Sequence, residues 1–207
     1  MLKYCGNHSL EDVKVASNSS AEYLGFVFAE SKRCVTPSEV KEWLSKVNVS
    51  QKLVGVFVNA TIDDIELAVE TIPLDVIQCH GEETVEYILA LKALFSQKVW
   101  KVIHHSENGM DLMKQYEGIV DGYVIDSKVR GIRGGTGVTF DWSAIPSYKR
   151  EAEKQNVPCF IAGGINVSTI TKLLKYDPEG IDLSSGIEEN GRKSEEIKIQ
   201  FEERLFV

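Results

Sequence analysis

Two short apolar segments near the C-terminal end of the chain stop abruptly in small residues, a pattern typical of turns that bind phosphate. The first segment is 160–165, which contains Gly163 and Gly164, and the second is 180–188. A helical pattern follows each segment, so we expect two strand-to-helix turns whose backbone N–H groups and helix N-termini face one anion. Unpaired amides and helix dipoles both attract negative charge. The two turns therefore predict a phosphate-bearing ligand.

Cys5 and Asp126 have side chains suited to proton transfer, and each lies where a predicted strand ends. A thiol at Cys5 could act as a base or nucleophile if nearby positive charge lowered its pKa from about 8.5, or it could be a small buried apolar residue. A carboxyl group at Asp126 could donate a proton if desolvation raised its pKa, or it could cap a loop. An acid and a thiolate on opposite sides of a substrate would suit an isomerase, which moves a proton without net redox change.

Other polar side chains also stand at predicted strand ends. Arg33 could bind a carboxylate through its forked guanidinium group, or it could be a surface arginine. His80 could donate a hydrogen bond to a substrate or pack at the strand end. His104 and His105 are adjacent in the chain, but no carboxylate stands at ligand spacing from them. The sequence therefore predicts no metal site.

These residues can meet in one site only if the fold brings the ends of the predicted strands to the same side of a domain. The chain alternates between short apolar runs and amphipathic stretches, and most strand starts lie about 20–30 residues apart, the length of one strand–helix unit. The runs are nearly all apolar, as parallel strands covered on both faces should be. The predicted strands are 2–5, 23–28, 53–58, 75–79, 99–103, 122–125, 159–162 and 181–184. The predicted helices include 37–47, 62–71, 83–95, 110–116, 142–155, 167–176 and 195–205.

Eight such units in 207 residues predict a single (β/α)8 barrel domain over residues 1–207, with reactive groups where the strands end. An open doubly wound sheet is the competing arrangement. It is disfavoured because no Gly-x-Gly-x-x-Gly motif follows the first strand and the phosphate-like turns come last. The widest gap between strands contains the glycine-rich stretch 131–137, so the loop 127–139 is the candidate for a mobile segment over the site.

The composition excludes several classes of protein. A net charge of −8 argues against a nucleic-acid-binding surface or an anionic-membrane surface. No run approaches the roughly 20 apolar residues of a membrane span, and the N-terminus lacks an apolar signal region. Nothing marks an interface, so we expect a cytoplasmic monomer with a small-molecule ligand. Reduced thiols are expected because no metal-ligand spacing links the four cysteines, which are Cys5, Cys34, Cys79 and Cys159.

Taken in order, the motifs at the strand ends resemble those of the phosphoribosylanthranilate isomerase family, barrel enzymes of tryptophan biosynthesis. The resemblance covers essentially the whole chain. The motifs are Lys3-x-Cys-Gly6, Leu24-Gly-Phe-Val-Phe28 leading to Ser31-x-Arg33, Val56-Phe-Val-Asn59, Gln78-x-His-Gly-x-Glu83, Asp126 before Gly134-Gly-Thr-Gly137, Phe140-Asp-Trp142, Ala162-Gly-Gly164 and Asp182-x-Ser-Ser-Gly-x-Glu188.

This resemblance implies an Amadori rearrangement of N-(5-phospho-β-D-ribosyl)anthranilate to 1-(2-carboxyphenylamino)-1-deoxy-D-ribulose 5-phosphate, with no cofactor and no metal. It implies that Asp126 is the general acid, that Cys5 is the general base and that Arg33 holds the anthranilate carboxylate. His80 is implied to line the pocket. The other substrate-binding residues implied are Gly163, Gly164, Asp182, Ser184, Ser185 and Gly186.

The chain departs from the family pattern at a few positions, none of which is the proposed acid, base or clamp. Lys32 replaces the proline that commonly precedes the arginine, Cys79 replaces leucine, and Ser194 replaces an aspartate, which predicts a weaker cap on the last helix. Two alternatives stay open. One is another phosphate-binding barrel enzyme, such as an epimerase or indole-glycerol-phosphate synthase. The other is a non-catalytic or regulatory sugar-phosphate-binding barrel, although binding alone needs neither Cys5 nor Asp126.

Overall fold

A computed structural model describes residues 1–127 and 140–206, and in these ranges parallel strands alternate with helices. The predicted loop 127–139 therefore lies, apart from its first residue, outside the described residues. The eight barrel strands are β1 (Leu2–Tyr4), β2 (Tyr23–Val27), β3 (Lys52–Phe57), β4 (Val76–Cys79), β5 (Lys98–His104), β6 (Gly122–Asp126), β7 (Cys159–Ile161) and β8 (Gly180–Leu183).

The helices cover the outside of these strands. They are α1 (Leu10–Ser17), α2 (Pro37–Leu44), α3 (Ile62–Thr71), α4 (Val85–Leu94), α5 (Gly109–Gln115), α6 (Ile145–Lys154), α7 (Ile170–Leu173) and α8 (Glu195–Leu205). Among the residues that the structure describes, 3-10 turns occur at Trp142–Ala144, Leu174–Tyr176 and Ser185–Ile187. In residues 1–127 and 140–206, no helix combines the length and the apolar character needed to cross a membrane.

The strands form a closed parallel barrel in which each strand pairs with its neighbours in chain order and β1 pairs with β8. The predicted (β/α)8 barrel is therefore confirmed. Closure sets Lys3 beside Asp182 in the register of β1 and β8, and it sets His104 beside Asp126 in the register of β5 and β6. Side chains that alternate inward at the carboxyl ends of these strands thus meet inside one barrel mouth.

Short polar side chains determine where several helices begin. Thr36 accepts a hydrogen bond from the N–H of Glu39, whose carboxylate accepts one from the N–H of Thr36, and this reciprocal pair starts α2. Thr61 and Asp64 repeat the arrangement at α3. Such a cap contributes about 1 kcal/mol. Ser194 also caps α8, with a 3.4 Å hydrogen bond from the first turn of that helix.

The lower interior of the barrel is filled by large aromatic rings. Tyr23, Trp100 and Phe160 form an aromatic floor whose ring centroids lie 4.8 to 5.6 Å apart. Gly122 stands beside Trp100 in the register and Gly180 beside Phe160, and a Cβ at either glycine would lie 2.7 Å from the neighbouring ring. Glycine in these strands therefore provides the space that the rings occupy.

The prediction of two helix N-termini after β7 and β8 is wrong in detail. Helix α7 is shorter than the predicted range 167–176, because Thr169 accepts a hydrogen bond from the N–H of Asn166 and donates one to the carbonyl of Gly164. After β8 the chain forms a 3-10 turn and then a hairpin of β9 (Glu188–Glu189) and β10 (Arg192–Lys193). Asn190 and Gly191 have φ of 50° and 78°, the backbone of a two-residue hairpin turn.

Candidate active site

A pocket opens at the carboxyl ends of the barrel strands, above the aromatic floor. It collects nearly all the candidate residues of the sequence, although Gly186 is not among those that line it. The lining residues are Cys5, Val27, Ala29, Glu30, Ser31, Arg33, Val56, Val58, Gln78, His80, Asp126, Ala162, Gly163, Gly164, Ile165, Asp182, Leu183, Ser184 and Ser185. Thiol, carboxyl, imidazole and guanidinium groups thus face one cavity, as proton transfer on a bound anion requires.

Cys5 follows β1 and is buried, with its backbone N–H donating to the carbonyl of Leu183 at 2.8 Å. Burial raises the pKa of its thiol above the ordinary value, and the ammonium group of Lys3 opposes this rise without overcoming it. The hypothesis of a thiol pKa lowered by positive charge is therefore only half right. The positive charge is present, but desolvation outweighs it.

Lys3 is fully buried on the inner face of β1 and donates to Oδ2 of Asp182 at 2.8 Å. Burial by itself would lower the pKa of Lys3, but the charges of Asp182 and Cys5 raise it above its ordinary value. Lys3 is therefore a fixed cation beside the thiol. Within the described part of the chain, the second carboxylate oxygen of Asp182 is buried and has no hydrogen-bond partner.

Asp126 ends β6 and is buried at the pocket wall, close to two histidines. Nε2 of His80 lies 3.4 Å from Oδ2 of Asp126, and the rings of His80 and His104 have centroids 5.4 Å apart. Burial lowers the pKa of His104, and the neighbouring His80 lowers it further. In the sequence His104 stands beside His105, whereas the barrel brings it next to His80 after β4 and Asp126 of β6.

Arg33 is buried and already holds a carboxylate of the protein itself. Its Nε and Nη2 donate to the two oxygens of Glu188 at 2.8 and 2.7 Å, which leaves Nη1 outside this ion pair. Burial of Glu188 favours its protonated form, but Arg33 and Lys193 outweigh burial and lower its pKa to about 2. Gly6 makes this packing possible, because a Cβ there would overlap the Arg33 side chain.

Lys193 on the hairpin joins the C-terminal part of the chain to the residue that follows β1. Its Nζ donates to the carbonyls of Cys5 and Ser184 at 2.8 and 2.9 Å and to Glu188 at 3.0 Å. Lys193 is buried, and burial lowers its pKa even though Glu188 favours the charged form. Lys193 and the role of Glu188 were not predicted from the sequence, because both residues lie far along the chain from those that they contact.

The glycine turn after β7 has a left-handed backbone. Gly163 and Gly164 have φ of 85° and 68°, where L side chains are strained, and a Cβ on Gly163 would lie 2.8 Å from Oδ1 of Asp126. The backbone N–H groups of Gly163, Gly164 and Ser185 donate to no acceptor among the described residues. Gly186 does not line the pocket, and it packs so closely against the Ile165 carbonyl that a Cβ would overlap it.

Comparison with known proteins gives concordant matches over the chain. Residues 2–204 match the family model described as N-(5'-phosphoribosyl)anthranilate (PRA) isomerase. The N-(5'-phosphoribosyl)anthranilate isomerase of Geobacillus thermodenitrificans is 55% identical over 204 residues, which cover 98% of this chain and 92% of that protein. The enzyme of the same name from Halalkalibacterium halodurans is 55% identical over 206 residues, covering 99% and 94%.

Solved structures agree with this match. Phosphoribosyl anthranilate isomerase from Thermotoga maritima superposes with a TM-score of 0.84 at 28% identity, covering 99% of this chain and 97% of that one. A phosphoribosyl anthranilate isomerase in complex with reduced 1-(o-carboxyphenylamino)-1-deoxyribulose 5-phosphate superposes with a TM-score of 0.81 at 26% identity and the same coverage.

Proposed function

The chain belongs to the N-(5'-phosphoribosyl)anthranilate isomerase family of tryptophan biosynthesis, and we propose that it catalyses this isomerisation with Asp126 as the general acid and Cys5 as the general base. The observation that supports the assignment is that both side chains line one pocket together with the two glycine turns. Family membership argues against the alternatives of an epimerase and of a non-catalytic barrel. The cytoplasmic location and the monomeric state remain predictions from the sequence.

In the first step, Asp126 protonates the ring oxygen of the phosphoribosyl group and the ring opens to a Schiff base. The carboxyl group must reach the substrate in its acid form, and its burial at the pocket wall limits competition from water. Nε2 of His80 lies 3.4 Å from Oδ2 of Asp126, so His80 can orient the Asp126 carboxyl group toward the substrate.

In the second step, the Cys5 thiolate removes the proton from C2′ of the Schiff base, and the resulting enolamine relaxes to the ketone. The base is the thiolate, and burial raises the pKa of Cys5. The charge of Lys3 opposes this rise and so increases the fraction of Cys5 that is deprotonated. Asp182 keeps Lys3 in place through the 2.8 Å ion pair.

The two ends of the substrate are anionic, and the pocket offers a partner for each. The amides of Gly163, Gly164 and Ser185 are suited to the phosphate, and the Nη1 group of Arg33 is suited to the anthranilate carboxylate. Glu188 occupies the other edge of the guanidinium group and so orients it. The relative solved with reduced 1-(o-carboxyphenylamino)-1-deoxyribulose 5-phosphate binds a ligand with the same two anionic ends.

The assignment is tested by a fluorescence assay in which phosphoribosylanthranilate is formed in situ and its loss is followed with EDTA present. Cys5→Ala and Asp126→Asn should each lower kcat by about 100-fold or more, because general acid–base groups contribute roughly that much. Matched controls are Cys79→Ala and Asp12→Asn, since both residues are buried but outside the pocket lining. Near-normal turnover in a folded Cys5 or Asp126 variant would overturn that residue's role.

A further inference from the structure

His80, His104 and Asp126 form a cluster of potential metal ligands inside the barrel mouth. They come from the ends of β4, β5 and β6, and one ligand atom from each lies within 4.8 Å of the others. Both histidines are half-buried and Asp126 is buried. Imidazole nitrogens with one carboxylate suit zinc and neighbouring transition metals, whereas magnesium and calcium prefer oxygen ligands alone.

The separation of two of these ligand atoms fits a tetrahedral site. Bonds of about 2.0–2.2 Å from zinc to nitrogen or oxygen set neighbouring ligand atoms roughly 3.3–3.5 Å apart. Nε2 of His80 and Oδ2 of Asp126 lie 3.4 Å apart, longer than a strong charge-assisted hydrogen bond of about 2.7–2.9 Å. The His104 ligand atom lies within 4.8 Å of the other two, so a change of its side-chain rotamer would complete three protein ligands.

The buried side-chain amide of Gln78 lies where it can stabilise the metal-binding form of His80. Nδ1 of His80 lies 3.4 Å from the amide nitrogen of Gln78, and the Gln78 side-chain oxygen has no hydrogen-bond partner among the described residues. Metal-bound histidines commonly donate their second N–H to a carbonyl or carboxylate. A turn of the Gln78 amide would present its oxygen to Nδ1 and free Nε2 to bind a metal.

We infer that His80, His104 and Asp126 bind a divalent transition metal ion of the zinc class and that this ion inhibits the isomerase. His80 and Asp126 line the pocket, so the fourth coordination position faces the cavity and is open to water or substrate. Inhibition rests on the proposed function, because a carboxylate of Asp126 that is bound to a metal cannot carry the proton for ring opening. The bound ion therefore acts against turnover.

The test is zinc inhibition of the purified protein, compared between variants in which one of two adjacent histidines is replaced. His104→Gln should raise the zinc concentration for half-inhibition by about 10-fold or more, because it removes one of three protein ligands. His105→Gln is the matched control, since His105 stacks on Phe140 and contacts the hydroxyl of Tyr148 instead of the cluster. Magnesium at the same concentration should not inhibit. Equal zinc sensitivity in the wild-type protein and His104→Gln would overturn the inference.

A cobalt(II) spectrum gives a readout that does not depend on turnover. Binding through two histidines and a carboxylate should give visible ligand-field bands without the strong near-ultraviolet charge transfer of a thiolate ligand, and His104→Gln should weaken this binding. A thiolate band would assign the metal to Cys5 and overturn the site, as would absence of cobalt binding. Cobalt binding that requires His104 while isomerase activity is undiminished would overturn inhibition and count against Asp126 as the acid, with the metal site itself upheld.

Discussion

Replacing Lys3 with methionine tests whether a buried ammonium group controls the protonation of Cys5. Lys3 is fully buried, and its charge lowers the pKa of the thiol against the effect of burial. Methionine has similar length and no charge. The pKa of Cys5 should therefore rise further in Lys3→Met, so that a smaller fraction of the protein holds the thiolate at neutral pH.

The size of this effect follows from the interaction of two charges in a buried site. Unit charges about 4 Å apart interact by about 4 kcal/mol at an effective dielectric constant near 20. We count about half of this, ~2 kcal/mol, as the loss in the variant, in which Lys193 still favours the Cys5 thiolate. This corresponds to a loss of roughly 30-fold in kcat/KM at neutral pH, since each 1.36 kcal/mol is about tenfold.

The assay is the pH dependence of kcat/KM, because the proposed base acts only when it is deprotonated. Activity should rise with pH as the thiolate forms, and the rise should lie at higher pH in Lys3→Met than in the wild-type protein. The matched control is Lys101→Met, since Lys101 is also buried in an ion pair, 3.0 Å from Glu83, but lies outside the pocket lining. Each variant leaves a buried carboxylate unpaired, which costs about 3–5 kcal/mol of folding stability.

Both variants should therefore unfold at lower denaturant concentration, and only Lys3→Met should move the pH profile. A profile that stays in place in a folded Lys3→Met protein would refute the electrostatic reasoning. Lys3 would then stabilise only the ion pair with Asp182 and the pairing of β1 with β8.

Three further predictions concern residues around the pocket. Arg33→Ala should raise KM about 10-fold or more with little change in kcat, and an unchanged KM in steady-state kinetics would contradict the carboxylate clamp. The pKa of Glu188 is about 2, so its carboxylate stabilises the fold above an unfolded pKa of about 4.3 and loses this effect as pH falls toward 2. In Glu188→Gln, acid unfolding should lack that contribution of at most about 3 kcal/mol, and an identical acid transition would count against it. Gly163→Ala should lower both stability and kcat, because its φ is 85° and its Cβ would meet Ser127 and Asp126, whereas Gly118→Ala, with φ of 73° and open space, should lose stability only.

Much of the fold could be predicted from local pattern. The predicted helices 62–71 and 195–205 match α3 and α8, and the predicted strand starts lie within one residue of those observed. Parallel strands buried on both faces are apolar throughout, so their positions are visible in the chain. The hairpin after β8 also had a local signal, the Asn190–Gly191 pair, but the glycine turn before it suggested a helix instead.

The partners within the site could not be predicted in the same way. Cys5, Asp126 and the glycine turns are recognisable because chemistry at strand ends has a sequence pattern. The ion pair of Arg33 with Glu188 joins residues 155 positions apart, and His104 meets Asp126 through the register of two strands. Whether a thiol has a raised or a lowered pKa depends on the balance of burial and charge around it, and only the folded barrel sets that balance.

Closure of the barrel makes the chemistry depend on residues from opposite ends of the chain. Lys3 pairs with Asp182 across 179 positions, and Lys193 holds the Cys5 carbonyl across 188 positions. Contacts this distant in sequence form slowly, because a long segment must be ordered before they can be made. During synthesis on a ribosome, a chain that lacks residues 182–193 would already contain most of the barrel strands, yet Lys3 would have no counter-charge and Cys5 no fixed position. The active site is therefore assembled late in folding, after most of the barrel strands have been synthesised.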